Sequence, residues 1–191
     1  MKNDLSIKIA WGITGAGDYL PETINIMKTL QKECNLDVTV VLSKSGELVS
    51  KWYHLWDDLR HNFKKVMVEK DAHSPFLAGP LQRGKYSFFL VCPASANTTA
   101  KIAHGIADSL ISNCVAQAMK GGCPTYIYPT DQKPGSLTTP LPNGRKLTIT
   151  IRDVDVENVE RLKRMKGISV LSSPLEIEKI IQDLLQKRDT T

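Results

Sequence analysis

With 191 residues, a net charge of +5 at pH 7 and a pI near 9.0, the chain suits one α/β core and is only mildly basic. The excess charge is scattered over Lys64-Lys65, Arg161, Lys163, Arg164 and Lys166, and Lys187-Arg188, without a recognition motif. That argues against nucleic acid and leaves a solvated surface or a docking face for an acidic partner. Cys34, Cys92, Cys114 and Cys123 form no C-x-x-C pair, so zinc and iron–sulfur spacings are absent. No signal peptide and no apolar run of membrane length is seen, so a cytoplasmic protein with reduced thiols and no membrane partner is expected.

Leu5 to Ile13 is apolar and β-branched and reads as the first strand. It empties into Gly12-Ile13-Thr14-Gly15-Ala16-Gly17, then a helix with Leu20, Ile24, Met27 and Leu30 on one face and Pro21 near its start. Such a turn makes a phosphate cradle, because glycines admit a ligand to the backbone and helix N–H groups meet its charge. The dinucleotide fingerprint G-x-G-x-x-G is not satisfied; glycines at 12, 15 and 17 better suit a mononucleotide phosphate. Val38 to Leu42 is the second strand, and the Ser43 that follows either contacts a ribityl chain or phosphate or caps the next helix. Residues 47–64 read as helical and carry Trp52, Tyr53, His54, Trp56 and Phe63. That aromatic cluster is expected at a subunit interface rather than stacked on a bound ring.

Pro75 to Gly79 is a loop or short helix, and Tyr86 to Cys92 a buried strand that stops at Pro93. Ala94 and Ala96 are small enough for a flat group to lie against the backbone. Ser95, Asn97, Thr98 and Thr99 fall at the first turn of the next helix, where backbone N–H groups lack partners. In an open α/β sheet, ligands bind at the end of such a strand, although Ser95 could be an N-cap and nothing more. No nucleophile is paired with a base here, so the chemistry is assigned to a bound cofactor, with no catalytic side chain and no metal.

After Asp108, Leu110, Ile111, Cys114, Val115, Ala118 and Met119 keep helical spacing up to Gly121-Gly122. Thr125 to Tyr128 is a further strand. The proline- and glycine-rich stretch that follows, with Asn143-Gly144 before Leu147 to Ile151, predicts a hairpin flap over 133–151 that serves as a lid or a partner contact. Val154 to Met165 is a helix and Ile168 to Leu171 the last strand. Ser173-Pro174-Leu175-Glu176 then opens the final helix as a capping box. The alternation predicts a flavodoxin-like or Rossmann-like doubly wound parallel sheet, three layers α/β/α, in one domain over 1–191.

Pro93-Ala94-Ser95-Ala96-Asn97-Thr98 resembles the PASANT motif of the flavoprotein family that includes phosphopantothenoylcysteine decarboxylase, the lantibiotic peptidyl-cysteine decarboxylases and the prenyl-flavin synthases. Lys101 to Leu110 resembles that family's GKIAxGxxDNLL continuation. Ala10-Trp11-Gly12-Ile13-Thr14-Gly15, Lys51-Trp52-Tyr53 and Pro75 to Gly79 bring the chain nearest to archaeoflavoprotein A and the FMN-dependent dihydromethanopterin reductases. The resemblance implies FMN held by Gly12, Thr14, Gly15, Ala16, Ser43, Pro93, Ala94, Ser95, Ala96, Asn97, Thr98, Thr99 and Asp108. It further implies a homo-oligomer, trimer-based or dodecameric, electrons from a ferredoxin or similar donor, and a pterin substrate.

The departures from the family fall on the decarboxylation machinery. The position of the catalytic histidine reads Gly79, with His73 nearby as its one potential substitute. The P-x-M-N motif reads Pro129-Thr130-Asp131-Gln132, and the C-terminal substrate clamp is missing. An FMN-dependent oxidoreductase is therefore expected ahead of a cysteine decarboxylase, a prenyl-flavin synthase or a non-catalytic flavin-binding oligomer. His104 is expected at the surface or an interface, and Asp108 as a helix cap or a support for the flavin-site loop.

Overall fold

The computed structural model describes residues 6–189. Its central sheet has six parallel strands: β1 Ile7–Ile13, β2 Leu36–Leu42, β3 Lys65–Val68, β4 Phe88–Ala94, β5 Thr125–Pro129 and β8 Ile168–Val170. They lie in the order β3-β2-β1-β4-β5-β8, the predicted flavodoxin-like layout. Strands covered by helices on both faces need apolar side chains on both faces; every residue of β4 is accordingly buried. Leu5, part of the predicted first strand, lies outside the described residues.

Helices α1 (Leu20–Glu33), α3 (Trp56–Asn62) and α8 (Glu176–Asp189) cover one face, joining Ile9, Trp11 and Ile13 of β1 in one apolar cluster through Ile24, Met27, Leu59, Ile177 and Ile181. On the other face, α4 (Ala78–Gln82), α5 (Ala96–Ala103), α6 (Leu110–Lys120) and α7 (Asp153–Lys163) join Ala10, Phe89 and Val91 in a second cluster. Alternation along β1 thus sends neighbouring side chains to opposite layers. Trp11 ties β1 to β4 from within the first cluster: its Nε1–H donates to Cys92 O at 2.7 Å and its ring meets Phe63 edge-on. Among the described residues no helix is long and apolar enough to cross a membrane.

Four local expectations change. The stretch 47–64 is two helices, α2 (Lys44–Trp52) and α3, because the chain turns at His54 with φ 58°. The short strand β3 follows it, pairing Lys65–Val68 with Thr39–Leu42, and was hidden by its half-buried, charged-then-apolar sequence. Strand β4 does not stop at Pro93 but runs on to Ala94 with a register shift after Val91; a proline lacks the N–H that a regular ladder would use there. The capping box before α8 is one-sided: the Glu176 carboxylate accepts from the Ser172 and Ser173 amides, at 2.8 and 3.1 Å, while Ser173 Oγ accepts from Leu175 N–H.

The predicted flap is an antiparallel hairpin, β6 (Gly135–Pro140) with β7 (Lys146–Ile151), inserted between β5 and α7. Its turn holds Gly144 at φ 80°, a left-handed conformation that glycine adopts without a Cβ penalty.

Candidate functional site

Strand order reverses between β1 and β4, so the loops leaving their carboxyl ends diverge and open a crevice. Thr14, wholly buried, joins the two loops. Its hydroxyl donates to Pro93 O at 2.9 Å and accepts from Ser95 N–H at 2.7 Å, while its amide reaches the same Pro93 carbonyl at 3.3 Å. Ser95 is the N-cap of α5, its Oγ accepting from Thr98 N–H. That leaves the Ala96 and Asn97 amides without an intrahelical acceptor at the positive end of the helix. Among the described residues, Gly15 and Ala16 make no hydrogen bond, so the loop after β1 presents free amides to the same crevice. Thr99 Oγ1 is buried with no partner among the described residues, a costly arrangement.

These observations sort the predicted residues. Gly12, Pro93, Ala94, Thr98 and Thr99 form the buried floor, Ser95 and Ala96 are half-buried, and Asn97 is exposed at the rim. Gly15 and Ala16 join them from the β1 side. Ser43 caps α2, its Oγ accepting from Gly46 N–H at 2.9 Å. Asp108 caps nothing, because Ser109 holds the N-cap of α6 in a capping box with Ser112. Its side chain, 57% exposed, instead pairs with Lys101 at 2.8 Å. Gly15 is glycine for a protein reason as well, since a Cβ there would stand 2.7 Å from Ser45 Cβ.

Glu69 was missed. Placed just after β3, it accepts from Leu110 N–H with Oε1 at 2.8 Å and from Lys44 N–H with Oε2 at 3.1 Å. One carboxylate thus closes the amino ends of α6 and α2, where negative charge is favoured. The only signal would have been an acidic residue at the end of β3, a strand that the sequence did not announce.

The decarboxylase positions are structural here. Gln132 Nε2 donates to Pro129 O at 2.9 Å and Leu171 O at 2.8 Å, so its amide N–H groups stitch the ends of β5 and β8. A side chain at Gly79 would meet the Phe76 ring at 2.4 Å. His73 lies against Asn113 and His104 against Asn158, each through a ring nitrogen. Burial pushes the Cys92 thiol up to about 12, which leaves it protonated and inert as a nucleophile.

The hairpin folds back over the carboxyl end of the sheet. Between it, Tyr53 and the β1–α1 loop lies a cavity of about 300 Å³; a second of about 260 Å³ runs along Tyr128, Thr130 and the base of the hairpin. Tyr19 borders both, edge-on to Tyr128 with ring centroids 5.3 Å apart. Thr130 N–H donates to Ala94 O at 3.0 Å, which joins the second cavity to the β4 turn.

Comparison with known proteins gives the family and the fold. The family described as Flavoprotein matches residues 1–188. An uncharacterized protein of Methanocaldococcus jannaschii is 60% identical over 175 residues, covering 92% of this chain and 94% of that one. The dihydromethanopterin reductase (acceptor) of the same organism is 37% identical over 180 residues, 88% of this chain and 73% of that one. In three dimensions the chain is similar to Burkholderia xenovorans DmrB, solved in complex with FMN and described as a cubic protein cage for redox transfer. The TM-score is 0.79, at 30% identity over 99% of both chains.

Proposed function

The chain belongs to the flavoprotein family, and we propose that it is an FMN-dependent oxidoreductase of the dihydromethanopterin reductase kind. In this reading it is one flavin-binding domain that works as a homo-oligomer and draws electrons from a ferredoxin-type donor. The relatives that bear the reductase name and the FMN-bound cage support it. The observation that carries it is the crevice itself. Thr14 clamps two loops whose remaining polar groups — the Gly15, Ala16, Ala96 and Asn97 amides — lack protein partners among the described residues.

These groups suit FMN. Free amides at a glycine turn and at a helix amino end would hold its phosphate and ring carbonyls. Ala94 and Ala96 present no bulk to a flat ring, and Asn97 offers a side-chain donor and acceptor at the rim. Bound there, the flavin supplies one- and two-electron transfer, chemistry that no side chain of this chain provides. The protein's part is to orient the ring, shield it from water beneath the hairpin and tune it by hydrogen bonding. The net charge of +5 favours encounter with an acidic electron donor. Decarboxylation lacks its groups, because Gln132 spends both amide N–H groups on backbone carbonyls and no histidine stands at Gly79.

An anaerobic visible spectrum tests the proposal. Yellow protein that bleaches with reduced ferredoxin and recolours with dihydropterin establishes a reductase. Protein that cannot be loaded with FMN refutes the reading altogether.

A further inference from the structure

Two acidic residues line the cleft under the hairpin, Asp18 just before α1 and Glu22 in its first turn. Asp18 and Glu22 line the 300 Å³ cavity, and among the described residues neither makes a hydrogen bond or ion pair. The walls beside them are Tyr19 and Tyr53, and the roof is Leu137 to Pro140 of the hairpin. No lysine, arginine or histidine lines the cavity, so it repels anionic groups and suits a flat ring that carries N–H donors. Tyr19 is held at φ 62°, a left-handed conformation rare for a bulky residue and characteristic of places where a side chain must be aimed. That conformation sets its ring between the two cavities. Tyr53 is fixed from the other side, its hydroxyl 3.5 Å from Pro140 O and its ring filling the space that a Cβ on Gly17 would need.

We propose that this cleft is the acceptor site, and that Asp18 and Glu22 recognise the 2-amino-4-oxopyrimidine edge of a pterin. The proposal rests on the reductase reading and adds the residues that choose the substrate. A 2-amino-4-oxopyrimidine presents two adjacent N–H donors, the exocyclic amine and the ring N3–H. A carboxylate accepts both at once in charge-assisted hydrogen bonds. Tyr19 and Tyr53 supply aromatic surface for the bicyclic ring. A volume near 300 Å³ lies at the small end of the range for ligand sites, which suits the pterin head while its longer substituent leaves through the open side. The cleft also adjoins the flavin crevice, since Gly15, Ala16, Gly17 and Asp18 are consecutive and Thr130 is bonded to Ala94.

The test compares 6-methylpterin with 6-methyllumazine, in which oxygen replaces the 2-amino group, by calorimetric titration of the FMN-loaded protein. The expected result is pterin binding about tenfold tighter than lumazine, equivalent to about 1.4 kcal/mol. Asp18→Asn and Glu22→Gln should each weaken pterin binding several-fold and the pair should abolish the discrimination. The flavin absorbance per chain should stay unchanged. Equal affinity for the two ligands, or variants that bind pterin like the parent, would overturn the assignment. So would loss of FMN from the variants, which would place the carboxylates in the flavin cradle instead. A reduced flavin that dihydropterin fails to reoxidise sinks the reductase reading separately, because the titration does not depend on turnover.

Discussion

Thr14 and Ser95, 81 residues apart in sequence, meet where the sheet reverses: the Ser95 amide donates to Thr14 Oγ1 at 2.7 Å. The same hydroxyl donates to Pro93 O at 2.9 Å, so one buried side chain holds the first and fourth strand ends in register. Thr14→Val keeps the shape and removes the hydroxyl, leaving the half-buried Ser95 amide without its acceptor. A cost of about 1–3 kcal/mol is expected, read as a lower urea midpoint with reduced FMN content, and Thr14→Ser should restore both. A valine variant as stable as the parent would show that the clamp is incidental.

Ser95 and Asn97 are neighbours on the α5 turn, yet substitutions there should part company. Ser95→Ala removes an N-cap, worth about 1 kcal/mol of stability, and should also loosen the flavin. Asn97 is exposed at the rim, so Asn97→Ala should leave the melting temperature within about a degree while emptying the protein of FMN. Comparing thermal melts with the visible absorbance of each purified variant separates the two effects. Full retention of flavin by Asn97→Ala would move the ring elsewhere.

Glu69 bridges the amino ends of two helices and stands outside the crevice. Glu69→Ala should cost about 1–3 kcal/mol, because the Lys44 and Leu110 amides lose a charged acceptor. Glu69→Gln should recover part of that loss by keeping one acceptor oxygen. Chemical denaturation of the three proteins at one pH decides it, and equal midpoints would mean that water replaces the carboxylate without penalty.

Asp131 gives the fold a pH dependence of definite sign. Burial raises its carboxyl above the ordinary range, and the Asp155 carboxylate nearby raises it further. Folding therefore disfavours its ionised form. Its contribution is complete below the unfolded pKa and is lost as pH rises through the folded one. Asp131→Asn removes that loss, so the variant should gain on the parent as pH rises above the ordinary carboxylate range in matched urea titrations. A difference independent of pH would show that the carboxylate is solvated in the fold.

Much of this protein is legible along the chain. Apolar runs such as Phe88 to Val91 can be stable only between two helical layers, and the 3.6-residue spacing of Leu20, Ile24 and Met27 can bury only one helix face. The Asn143-Gly144 turn announced its hairpin for the same local reason, a backbone that needs a residue at positive φ. Local chemistry likewise placed Ser95 at a helix start with free amides beside it. Where burial was partial the signal faded: β3 carries no fully buried residue, and the break at His54 depends on a left-handed turn that its sequence does not demand.

Tertiary structure decided what no spacing could. Only the reversal of strand order brings Thr14 to Ser95, and only the path of β3 delivers Glu69 to two helix ends at once. Folding also made Ser43 the cap of α2 and paired Asp108 with Lys101, contacts that depend on where the neighbouring groups lie in the fold. The cleft of Asp18, Tyr19 and Tyr53 exists only once the hairpin folds back on the loop after β1. Periodicity and capping act over a few residues and are written in the sequence; long-range juxtaposition depends on how whole layers pack, and only the folded chain contains it.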